Sequence, residues 1–209
     1  GTVAQQLLDH KKGEKPMSLP EIQLILRQVV EGLQYLHSQN VVHRDLKPGN
    51  LLVSRDKGVK VADFGLAKQV GGEQSTFLTR TGTVAGTMHY MAPEQADGLD
   101  ITPATDIYAL GVIWHELLTG RRPGHRLKGV QQRSDSPDSW VNMIGDCLEE
   151  DPADRPTLQD IKHALEAETF DDEEKRRRLE AQRLEAQQLE AQRLEAQQLE
   201  AERREAERR

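Results

Sequence analysis

HRDLKPGN at residues 43–50, followed by DFG at 63–65, decides how the rest of the chain is read. The two strings bring Asp45, Lys47, Asn50 and Asp63 into one short region. Around them the texture is one of brief apolar bursts, VVH at 41–43, NLLV at 50–53 and VKVADFG at 59–65. SRDKG at 54–58 has the chemistry of a hairpin turn, so the pattern predicts short strands beside loops that carry the polar residues.

Upstream, Ser18 with Glu21 three positions on makes a capping box. Ile22, Ile25, Leu26, Val29, Leu33 and Leu36 then recur at helical spacing, which predicts one amphipathic helix ending near Asn40. Downstream, residues 66–86 are rich in Gly, Ser, Thr and Gln with little periodicity and read as a loop. Thr102 as N-cap and Pro103 as first helical residue open a helix through Leu110, Val112, Ile113, Trp114, Leu117 and Leu118 that stops at Gly120. It is apolar nearly all round, which predicts burial. Two shorter helices follow, one around Trp140, Ile144 and Leu148, the other opening at Thr157 with Leu158, Ile161 and Leu165. The core is expected to end near residue 168.

Residues 169–209 are rich in Ala, Glu, Gln, Leu and Arg and hold no Gly or Pro, a composition that predicts a helical rod. Its repeat is five residues. Leu179, Leu184, Leu189, Leu194 and Leu199 are therefore each turned by about 140° from the last and form no continuous stripe, which argues against a strong coiled coil. Pairs such as Glu180 with Arg183 support an exposed helix instead.

At 209 residues and a net charge of −7, the chain suits one domain with an appendage and has no overall positive field to attract nucleic acid or anionic lipid. The single cysteine, Cys147, forms no internal disulfide and reads as helix packing in a reducing compartment. No stretch reaches the roughly 18 uncharged apolar residues of a membrane span, and the opening GTVAQQLLDHKKG has no secretory pattern. A cytoplasmic location is the expectation. His115 begins HELLT, which lacks the second histidine of a zinc HExxH site, so a metal site of protein ligands alone is not expected.

HRDLKPGN, DFG, APE at 92–94 and Asp106 opening a buried helix, in that order, resemble the large lobe of a eukaryotic-type serine/threonine protein kinase of the bacterial kind, over about residues 1–168. The resemblance implies a mainly α (α+β) fold, a helical bundle with short β-hairpins, and transfer of the γ-phosphate of Mg-ATP to protein hydroxyls. It implies that Asp45 orients the acceptor hydroxyl and takes its proton late. Asn50 and Asp63 would hold magnesium, Lys47 would place a charge on the transferred group, and Leu52 would floor the adenine. Lys47 and Thr87 of GTMHYMAPE point to serine and threonine as acceptors. Arg44 implies control by loop phosphorylation, with Thr79 and Thr81 the expected acceptors among Ser75, Thr76, Thr79, Thr81 and Thr83. Structural roles are implied for His43 stacked with Phe64, for Asp106 under the HRD backbone, and for Glu94 paired with Arg155.

Two departures bear on substrate preference. Gly49 stands where the family often has an acid, and the chain between Pro123 and Trp140 is shorter than usual. The 42 residues before His43 hold no G-x-G-x-x-G loop and no V-A-I-K strand, so the small lobe is expected to be missing from this chain. GTVAQQLL resembles the first helix after the hinge. A partner protein bearing Ser or Thr and the nucleotide are the expected ligands, and nothing in the sequence sets an oligomeric state. Two other readings compete: a lone-lobe, non-catalytic binding or scaffold protein, and a small-molecule phosphotransferase, which would be expected to lack APE and Thr87.

Overall fold

The computed structural model describes residues 1–13, 16–56, 58–63, 68–69, 87–123 and 135–168. Phe64, Thr79, Thr81 and the expected rod at 169–209 lie outside the described residues, as does the Thr87 side chain.

The described elements belong to one unit, Gly1–Glu168. In chain order they are α1 (Val3–Lys12), α2 (Leu19–Ser38), β1 (Val41–Val42), a 3-10 turn (Pro48–Asn50), β2 (Leu51–Val53), β3 (Val59–Val61) and β4 (Lys68–Gln69). A second 3-10 turn (Thr87–Tyr90) leads into α3 (Pro93–Ala96), α4 (Pro103–Thr119), α5 (Asp138–Cys147), a third 3-10 turn (Pro152–Asp154) and α6 (Leu158–Ala167). Among the described residues the strands pair as two antiparallel ribbons, β1 with β4 and β2 with β3. The unit is thus mainly helical.

Local chemistry accounts for the helix ends. The Ser18 backbone N–H and hydroxyl both donate to the Glu21 carboxylate at the start of α2. Thr157 and Asp160 satisfy one another reciprocally at the start of α6. Gly120 ends α4 in the left-handed region, φ 70°, and returns its N–H to Glu116 O at 2.8 Å; lacking a Cβ, it takes that conformation without strain.

Helix α4 is the spine of the unit. It is buried on every side, from Thr105 to Leu118 with only Tyr108 partly open. It packs against α2, α5 and β1. Trp114 on α4 meets Trp140 on α5 edge to face, ring centres 5.3 Å apart and planes 73° apart, and both side chains are fully buried. α2 lays Ile22, Ile25, Leu26, Val29, Val30 and Leu33 into the same core and also packs on α6 and β3.

The α4 and α5 backbones approach closely because residue 111 is glycine. A Cβ added there would stand 2.7 Å from Cys147 Cβ and 3.3 Å from Leu148. Gly111→Val is therefore expected to lower stability by about 1–3 kcal/mol through overpacking, seen as a lower urea midpoint. An unchanged midpoint would show that the two helices are free to separate.

Candidate functional site

Asp45 lies between the first ribbon and the Pro48–Asn50 turn, and its two carboxylate oxygens have different surroundings. Oδ2 receives Lys47 Nζ at 2.7 Å and Asn50 Nδ2 at 3.2 Å. Oδ1 is buried and has no hydrogen-bond partner among the described residues. A buried carboxylate oxygen left unmatched is costly in a purely structural residue. Asn50 is 6% exposed, and its amide nitrogen also donates to Asp45 O at 2.8 Å. With its nitrogen committed to Asp45, the amide oxygen of Asn50 is the end open to a cation.

Asp63 reaches this place through its neighbour. Ala62 N–H donates to Asn50 O at 2.9 Å, and Ala62 O meets His43 Nε2 at 3.0 Å. The residue immediately before Asp63 is thereby fixed to both ends of the HRDLKPGN segment. Asp63 itself is exposed and has a positive φ of 65°. An exposed carboxylate on a backbone conformation that costs a non-glycine residue about 1 kcal/mol or more marks a functional position better than a packing one.

His43 is fully buried and does not face solvent. Asp45 N–H donates to its Nδ1 at 3.3 Å, so the ring proton sits on Nε2 and is donated to Ala62 O. Arg44, at φ 70°, is with Asn40 and Asp63 one of three non-glycine residues of positive φ among the described residues. Its N–H donates to Asp106 Oδ1 at 3.0 Å, while His43 N–H donates to Asp106 Oδ2 at 2.9 Å. His37 Nε2 completes that carboxylate at 2.8 Å. Burial pushes the Arg44 pKa down and the nearby Asp106 charge offsets part of that; the guanidinium stays charged. Its buried Nε has no partner among the described residues.

Leu52 is 45% exposed and stands between Lys60 on β3 and an isolated bridge to Thr2. Gly1 adds to that edge, receiving Val53 N–H on its carbonyl at 2.9 Å. Thr87 opens the turn that runs into α3, and on that turn Tyr90 donates its hydroxyl to Glu116. Lys11 of α1 meets the same carboxylate at 3.5 Å. Burial first, then the hydrogen bond to Glu116 and its charge, push the Tyr90 phenol well above its ordinary pKa.

Glu94 and Arg155 form a buried bidentate pair at 2.7 and 2.8 Å. All five N–H groups of Arg155 have acceptors, the other three being Ala104 O, Glu149 O and Glu150 O. Thr105 donates to Glu94 Oε1 at 2.8 Å, and the guanidinium carbon stands 5.0 Å over the Tyr108 ring. The pair joins α3, the start of α4 and the approach to α6. Three contacts carry no sequence signature: His37 on Asp106, Tyr90 on Glu116, and Gln95, whose Nε2 donates to Arg44 O at 2.9 Å.

Among the described residues no group of His, Cys, Asp and Glu is arranged to hold a metal by itself, and no helix is long and apolar enough to cross a membrane.

The protein kinase domain model matches residues 2–166, and the chain belongs to that family. Curated relatives are bacterial serine/threonine-protein kinases. The one named drp72 in Corynebacterium efficiens is 41% identical over 143 residues, covering 63% of this chain and 27% of the relative. PknA of Corynebacterium glutamicum is 48% identical over 99 residues, 47% of this chain and 20% of the relative. PrkC of Bacillus subtilis is 38% identical over 141 residues, 64% of this chain and 21% of the relative. The chain thus spans roughly a quarter of the length of these relatives or less.

Burial pushes the Glu94 carboxyl up, but the hydrogen bonds from Arg155, its own backbone and Thr105, with the Arg155 charge, outweigh it and hold the pKa below the ordinary value. A depressed carboxylate contributes stability that is present above its unfolded pKa, about 4.3, and is lost as pH falls through the folded value. Glu94→Gln is expected to cost about 3 kcal/mol at pH 7 by stranding a buried cation. In urea unfolding the gap to wild type should narrow below about pH 4.3. A gap independent of pH would mean that the pair's charge does not matter.

Proposed function

We propose that this chain is the large lobe of a serine/threonine protein kinase that transfers the γ-phosphate of Mg-ATP to protein hydroxyls. The observation that carries the proposal is the asymmetry of Asp45: one oxygen is held by Lys47 and Asn50, and the other is buried and unmatched.

A carboxylate clamped on one side and bare on the other suits an acceptor hydroxyl. Oδ1 accepts the hydroxyl proton as a hydrogen bond and orients the oxygen lone pair for in-line attack; the proton passes to the carboxylate late. Lys47 stands 2.7 Å from the other carboxylate oxygen and brings a positive point charge to the transferred group. The Asn50 amide oxygen and the exposed Asp63 carboxylate offer the hard oxygen donors that magnesium prefers. The bound Mg-nucleotide would supply the phosphoryl group and the charge that stabilises its loose transition state. Leu52, apolar and exposed on β2, is the surface offered to the adenine.

Thr87 is proposed to lie beside the acceptor hydroxyl, and Thr79 and Thr81 to be loop phosphorylation sites. Arg44 supports the second part, because a buried guanidinium nitrogen without a partner among the described residues is suited to an incoming phosphate.

Two outcomes test this with labelled ATP, magnesium and a Ser/Thr peptide. Asp45→Asn in the full-length gene product is expected to lower kcat by about 10²–10⁴-fold, and retention of the wild-type rate would refute the assignment. Residues 1–209 alone should show negligible turnover, since they hold neither a G-x-G-x-x-G loop nor a V-A-I-K strand. Mass spectrometry of the active full-length product is expected to find phosphate on Thr79 and Thr81.

A further inference from the structure

We propose that Gln95 is a positioning residue for phosphoryl transfer, holding Asp45 in aim by fixing the Arg44 carbonyl. The proposal rests on the kinase reading above.

Gln95 is 7% exposed and uses both ends of its carboxamide. Its Oε1 accepts Ala92 N–H at 3.1 Å, closing the start of α3, and its Nε2 donates to Arg44 O at 2.9 Å. Arg44 is a strained residue, φ 70°, whose own N–H is already held by Asp106 at 3.0 Å. The peptide planes on both sides of Arg44 are therefore pinned. The second of these planes also carries the N–H of Asp45, which meets His43 Nδ1 at 3.3 Å. Swinging that plane would turn the Asp45 Cα and carry Oδ1 away from the acceptor. Strained conformations persist only where their surroundings over-determine them, and Gln95 supplies one of the restraints.

The residue type follows from the chemistry. The site needs a donor toward a carbonyl and an acceptor toward an N–H on one planar group. An ionised glutamate cannot donate. Methionine fills the space with neither function, and asparagine is one methylene too short. Because Gln95 sits just past the Thr87–Tyr90 turn, it also joins the acceptor side of the site to the backbone of its base.

The test compares Gln95→Met and Gln95→Glu with wild type in the full-length gene product. Gln95→Met should lower kcat about 10–100-fold while KM for ATP and peptide stays within about twofold, since positioning rather than binding is lost. Gln95→Glu should be impaired at pH 8 and regain rate relative to wild type as pH falls, because the protonated carboxyl can again donate to Arg44 O. Hydrogen exchange on residues 1–209 should be faster in Gln95→Met across residues 43–46 and unchanged across 107–118. A wild-type kcat in Gln95→Met, or a pH-independent ratio in Gln95→Glu, would overturn the proposal. Should wild type transfer no phosphate, the kinase reading fails by itself, and exchange across residues 43–46 still decides whether Gln95 pins Arg44. Unchanged exchange there refutes it. If Gln95→Met does not fold, the Gln95→Glu ratio decides.

Discussion

The carboxylate of Asp106 is what the candidate site depends on. It is 1% exposed, and such a charge is tolerable in the interior only when donors surround it. Here the donors are the backbone N–H groups of His43 and Arg44 and the ring of His37. The position of Asp106 in the first turn of α4 adds the favourable end of the helix dipole. The same bonds work in the other direction. They hold Arg44 in a left-handed conformation that costs a non-glycine residue about 1–2 kcal/mol, and they tie the loop bearing Asp45 to the buried helix α4. Because α4 is buried on all sides, the restraint is referred to the core itself.

A second frame, built on Glu94 and Arg155, holds α3 as Asp106 holds the loop bearing Asp45. Arg155 joins α3 to the amino end of α4 and to the segment before α6, and its planar fork is fully satisfied. A lysine has the charge but neither the fork nor the number of donors. The two frames meet at the start of α4: Thr105, bonded to Glu94, is the residue before Asp106. Helix α3 and the loop bearing Asp45 and Asn50 are thus attached to one piece of scaffold.

Much of this was legible in the residues. Ser18 with Glu21, Thr102 with Pro103 and Gly120, and Thr157 are local punctuation, and each begins or ends a helix where expected. Helix α3 left no periodicity to read because it has only four residues, and β1 and β4 have two each. In the site, the motif residues were singled out by resemblance alone, and the structure adds their burial and partners. His37, Tyr90 and Gln95 escaped because their partners are 69, 26 and 51 positions away and share no spacing rule with them. Contacts of that kind follow from how α2, α3 and α4 pack, and a one-dimensional pattern does not encode them. Glu116 shows the limit well: on a helix this apolar it reads as an interruption, whereas in three dimensions it gathers Tyr90 from one segment and Lys11 from another.

The close approach of α4 to α5 at Gly111 leaves Cys147 sealed between helices, with burial, and then the Asp146 charge, raising its thiol pKa well beyond the ordinary range. A thiol that is neither ionised nor reachable reacts with an alkylating reagent only when the helices part. The sole sulfhydryl of the chain is therefore an intrinsic clock for global opening, and the rate at which it is trapped reports how often the spine of the lobe comes undone.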